Sequence, residues 1–113
     1  MSNRDPPATA LRRRRRKLVR GLPPLDQVLR GTLTETYKRC GRPNCHCADG
    51  PGHGPKRYLV TSQPGGRPRR AYVPNAAHER VVGLIGNYRR LRAALNEICA
   101  INAELLRRRE DLG

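Results

Sequence analysis

Cys40, Cys45 and Cys47 lie close together in the string "CGRPNCHCADGPGH", which ends at His53. Three thiolates and one imidazole complete the tetrahedral shell that Zn²⁺ prefers. A closed shell of that kind adds folding energy and leaves no open position for catalysis. Gly41, Pro43 and Asn44 in the first gap, and Gly50, Pro51, Gly52, Gly54 and Pro55 around His53, let the backbone turn tightly around such a centre. His46 competes for the fourth position, but it lies between two cysteines and its ring tends to point away from a centre held by both. The expected site is therefore a structural Zn²⁺ on Cys40, Cys45, Cys47 and His53. A reduced core cluster, a disulfide with one free thiol, or ligands shared across a dimer are the alternatives. Asp49 is the only acid between Cys40 and Asn75, and the sequence offers no paired carboxylates and no nucleophile with its base, so no enzymatic activity is expected.

Charge supplies the second chemistry. The 113 residues carry 24 Lys and Arg against nine acids, a formal net charge of +15. The excess belongs to the first two-thirds of the chain. A polyanion is the natural counterpart of such a field, and nucleic acid, DNA before RNA, is the expected partner. The residues placed to reach it are Arg12, Arg13, Arg14, Arg15, Arg16 and Lys17 in the N-terminal run. Arg42, Lys56, Arg57, Arg67, Arg69 and Arg70 join them around the cysteines and the segment that follows. Tyr37, Tyr58 and Tyr72 are interspersed and could stack on bases. Tyr58 and Tyr72 have a simpler explanation as a cross-strand pair in a small core.

The elements that must position these residues follow from pattern and punctuation. Residues 1–24 hold so dense a block of like charge that a disordered basic tail is expected. Leu25, Val28 and Leu29 suit a short helical turn before Gly31, after which threonines alternate with Leu33, Glu35 and Tyr37 in a strand leading to Cys40. "YLVT" and "RRAYV", separated by Pro64 to Gly66, read as a hairpin. Asn75 is a plausible N-cap for a helix running towards Glu110. Val81, Leu84, Tyr88, Leu91, Leu95, Ile98, Asn102 and Leu105 follow one another by steps of three and four, the pattern of a coiled-coil seam with one polar member. Gly83 and Gly86 weaken the first turns, so one long helix and a helical hairpin both remain open.

The fold class expected is α+β: a small zinc-stabilised three-stranded antiparallel sheet or hairpin over 25–74, then a long C-terminal helix or helical hairpin over 75–110. The helical segment, through residues 81–106, is expected to make a homodimer. With no Trp, no Phe and a hydrophobic content of 36%, the core is thin, which is the reason for invoking a metal or self-association. No apolar run is long enough for a membrane span and none follows the basic N-terminus as a secretory signal would require. A cytoplasmic protein with reduced thiols, no membrane partner and no small-molecule substrate is expected.

"LRGTLTETYKRCGRPNCHCADGPGHGPKRYLV", with "GRPRRAYVP" and "NYRRLRAALNEICAINAEL" after it, resembles a family of small bacterial proteins of unknown function. Its members share a Tyr-x-x-Cys-Gly-x-Pro-x-Cys-x-Cys run, a downstream His-Gly-Pro and a C-terminal helix. The resemblance covers about residues 29–106 and favours His53 over His46 as the retained residue. Where the family tends to have tyrosines after the proline, this chain has Lys56, Arg57 and Tyr58. The resemblance also implies a neighbourhood of mobile-element genes. Together these features predict a zinc-stabilised nucleic-acid-binding protein, an accessory or regulatory factor of a mobile element. A protein–protein adaptor working through its C-terminal helix is the alternative.

Overall fold

The computed structural model describes residues 5–38 and 53–113. In chain order the elements are helix α1 (Ala8–Arg20), strands β1 (Thr32–Lys38), β2 (His53–Thr61) and β3 (Arg69–Val73), a 3-10 turn at Asn75–Ala77, and helix α2 (His78–Arg107). The fold is α+β, with a three-stranded antiparallel sheet in the order β1-β2-β3 followed by one long helix. Gly83 and Gly86 lie inside α2 without ending it. The chain divides into two compact units, residues 29–85 and residues 1–28 with 86–113. No helix among the described residues is long and apolar enough to cross a membrane.

The sheet unit is built as its threonine and β-branched residues dictate. Thr34 faces Tyr58, which in turn faces Tyr72, and Leu33 faces Leu59, which faces Ala71. Period-two alternation therefore sorts the strands into an apolar side and a hydroxyl, aromatic and cationic side. Leu59, Val73 and Ile85 are buried on the apolar side, with Leu29, Leu33 and Val81 packed against them. The Leu29 amide donates to the Leu84 carbonyl at 3.1 Å, tying the strand entry to the first turns of α2. The β2–β3 connection turns on Pro64 and Gly65, and Gly66 donates back to the Gln63 carbonyl. Gly65 has φ +65°, the conformation required after a proline in a type II turn. Gly31 has φ +154°, and a Cβ there would lie 2.6 Å from Leu59 Cδ1 and 3.1 Å from the Val60 carbonyl. Only glycine fits against this core.

The expected metal has to be corrected. Among the described residues no group of three or more His, Cys, Asp or Glu is placed to hold an ion. The sheet unit is closed by an apolar helix-on-sheet core, the role for which a structural zinc was invoked, so the reading as a zinc-stabilised nucleic-acid-binding protein and its Zn²⁺ cofactor are withdrawn. Cys40, Cys45 and Cys47 lie outside the described residues, as does the side chain of His53.

Residues 8–20 form a 13-residue helix where the charge density predicts disorder. Ala, Leu, Arg and Lys are all strong helix formers, and the helix starts after Pro7 and stops at Gly21, whose amide donates to the Lys17 and Leu18 carbonyls. No residue of α1 is fully buried. In the same unit Ile101 and Leu105 are buried, Leu105 completely. The expected turn of helix at residues 25–29 is a single turn, with the Gln27 amide donating to the Pro24 carbonyl and Leu25 exposed. Asn75 does not cap α2; its Oδ1 accepts from Arg57 instead.

Candidate functional site

Arginine is a fork of donors always charged at ordinary pH, and α1 uses three of them on its own chain. Arg14 makes a two-pronged contact with Glu97, at 2.7 and 3.0 Å. Arg12 donates twice to the Asp111 carbonyl and approaches Glu110 at 3.9 Å. Arg15 donates to Asn102 Oδ1 at 2.6 Å and to the Leu112 carbonyl at 2.8 Å. From the other side Arg108 donates to the Pro6 carbonyl. Hydrogen bonding to Arg14 lowers the Glu97 carboxyl below its ordinary value, and the same bond raises the Arg14 guanidinium. Hydrogen bonds from Arg107, then Arg108, pull Glu104 down to about 2.

The N-terminal run is thus split by helix geometry. Arg12, Arg14 and Arg15 hold α1 in place, whereas Arg13, Arg16 and Lys17 are exposed and aligned with Arg20 at intervals of three, one and three residues. Those intervals put all four on one face of a helix. Arg20 was missed in the sequence reading, although its spacing from Arg13 was the available signal.

In the sheet unit Arg57 is likewise engaged, donating to Glu35 at 2.9 Å and to Asn75. Lys56, Arg67, Arg69 and Arg70 are exposed. Arg70 lies over the Tyr58 ring at 4.4 Å, and Tyr58 meets Tyr72 edge to face at 5.8 Å between centroids. The two tyrosines are direct cross-strand partners, so much of their role is structural. Arg42 lies outside the described residues.

The outer side of α2 has a different character. The expected seam is met in part: Leu105 is buried and Val81, Leu84, Tyr88, Leu91 and Ile98 are half-buried, beside buried Ile85 and Ile101, while Leu95 and Asn102 are exposed. The apolar stripe is wider than one contact needs, and packing within the chain takes a neighbouring part of it. The fully exposed residues from Ala93 to Leu106 are uncharged, and half-exposed Glu97 and Glu104 are paired with arginines. Leu95, Cys99, Asn102 and Leu106 follow at steps of four, three and four, and Ala93, Ala100 and Ala103 lie beside them. Arg92 and Arg107 bound this face.

A small α+β domain with a charge-clasped N-terminal helix is the class these features define. Residues 8–82 match DUF6788, a domain of unknown function, and the chain belongs to that family. No curated protein and no solved structure matches the chain.

Proposed function

We propose that the protein is a non-enzymatic assembly module that pairs with a second copy of itself through the outer face of α2. One observation carries the reading: in a chain that is 29% charged, the fully exposed residues from 93 to 106 are Ala, Leu, Asn and Cys, and the two charges in that span, Glu97 and Glu104, are each paired with arginine. Two copies that each carry a formal +15 repel over most of their surface. They approach at least cost where that charge is missing. Leu95 and Leu106, 43% and 65% exposed, supply apolar area to bury, and the alanines beside them allow close approach of a second helix.

The spacing favours an antiparallel pair centred near Ala100. Leu95 then meets the partner's Leu106, and Cys99 meets the partner's Asn102, so each contact occurs twice across the symmetry axis. Light scattering after gel filtration tests this. The native chain is expected at twice its 12.7 kDa mass. Leu95→Glu with Leu106→Glu is expected to give a monomer with unchanged helix content, because two like charges would then face each other across the pair. A native monomer at about 0.1 mM, ample for a pair of micromolar affinity, refutes the proposal, as does a variant that remains dimeric.

A further inference from the structure

The side of the sheet facing away from the apolar core carries a depression of about 350 Å³ lined by Thr36, Tyr37, Lys56, Tyr58 and Arg70. That volume is within the range of small-ligand sites. Its lining is unusual for a structural surface, with two aromatic rings, two cations and a hydroxyl but no acid. Lys56 and Arg70 have no carboxylate partner among the described residues, whereas Arg57, between Lys56 and Tyr58, is paired with Glu35.

Regular alternation sends Tyr37 and Thr36 to opposite sides of the sheet. The pairing is irregular here: Thr36 faces Lys56 and Lys38 faces His53, so Gly54 and Pro55 together oppose Tyr37. An extra residue of this kind is a β-bulge, which bends the strand and re-aims side chains. Thr36 and Tyr37 both line the depression. Arg70 is held in position by its stacking on Tyr58, so part of its ordering cost is met before a ligand arrives.

We propose that this depression binds an aromatic ring that carries a phosphate. The rings of Tyr37 and Tyr58 offer faces and edges for a planar group, and two unpaired cations suit a dianion better than a single negative charge. Thr36 adds a hydroxyl to the same wall. A free aryl phosphate and the side chain of a tyrosine-phosphorylated protein present this same chemistry. The site is independent of the pairing proposed for α2.

The test is a titration of the full chain followed by amide NMR, with phenyl phosphate, phenol, inorganic phosphate and a short end-capped peptide whose only charged group is a phosphotyrosine as probes. Phenyl phosphate is expected to shift the amides of residues 36, 37, 56, 58 and 70 saturably, and to bind at least about tenfold more tightly than phenol or inorganic phosphate. Lys56→Gln or Arg70→Gln, both at exposed positions, is expected to cost about tenfold while leaving the remaining spectrum in place. A peptide that binds more tightly than phenyl phosphate supports the site and identifies a modified protein as the source. Equal binding of phenyl phosphate and peptide supports recognition of the ring and phosphate alone. Inorganic phosphate binding as well as phenyl phosphate overturns the proposal, as do shifts that never saturate or variants that bind unchanged.

Discussion

Both units of this chain bury apolar side chains, Ile101 and Leu105 among them, but they differ in how much charge fastens their elements. Residues 29–85 are closed by apolar burial, with Leu59, Val73 and Ile85 between a sheet and the first turns of a helix. In the other unit α1 contributes no fully buried residue and is fastened by guanidinium groups to Glu97, Asn102 and main-chain carbonyls near the C-terminus. Burial of apolar area is insensitive to salt at moderate concentration. Exposed ion pairs are screened by it. The comparison teaches that a strongly basic segment can be fastened by the few acids and the carbonyl oxygens its own chain supplies, leaving a subset of cations outside.

The largest effect that could break this division is in the apolar unit. Leu59→Ala removes a side chain that is 8% exposed at the centre of the core, and a loss of about 2–5 kcal/mol is expected in urea unfolding. A loss below about 1 kcal/mol would mean the sheet is held by something other than this cluster. Gly31→Ala comes next, since its new Cβ meets Leu59 Cδ1 and the Val60 carbonyl in a conformation alanine disfavours. About 1–3 kcal/mol of destabilisation is expected in the same measurement.

A smaller effect of opposite sign is expected at the end of α2. Arg109 has φ +57°, and the Glu110 amide donates to the Leu105 carbonyl, the arrangement in which glycine usually ends a helix. Arg109→Gly is expected to raise stability by about 1 kcal/mol, because it relieves the left-handed conformation of a residue with a Cβ. A loss of stability would show that the Arg109 side chain makes a contact worth more than the strain.

Acid should loosen the clasped unit in a defined window. Glu104 is lowered from 4.5 to about 2 in the folded chain by Arg107 and Arg108, and Glu97 is lowered by Arg14. A carboxyl depressed by folding contributes stability that is fully present above its unfolded value and lost as pH falls through its folded value. Melting temperature is therefore expected to fall between about pH 4.5 and pH 2. With Glu104→Gln that acid-dependent fall should shrink. An undiminished fall would place the acid sensitivity at other carboxyls.

How much of this was legible in the sequence follows the same division. The β1 threonines, the Pro64–Gly66 turn and the "RRAYV" strand were readable because alternation and turn chemistry act over a few residues. The hold on α1 was not, because Arg14 and Glu97 are 83 positions apart and only the fold makes them neighbours. Local charge density argued for disorder and long-range pairing overrode it. The helical seam was legible except at Leu95 and Asn102, which are exposed, since a broad stripe does not say which part packs inward. The cysteine run drew the sharpest expectation. What closes the described sheet unit is instead a set of ordinary aliphatic residues too scattered in sequence to stand out as a motif.

Hydrogen–deuterium exchange of the full chain, measured in about 0.05 M and about 1 M salt, tests the central comparison most directly, since the screening length shrinks several-fold between them. The amides of residues 8–20 are expected to exchange much faster at high salt, while those of residues 57–61 and 69–73 keep their protection. Equal responses of the two regions, or an α1 whose protection is unaffected by salt, would contradict the account that ion pairs fasten α1 while apolar burial closes the sheet unit.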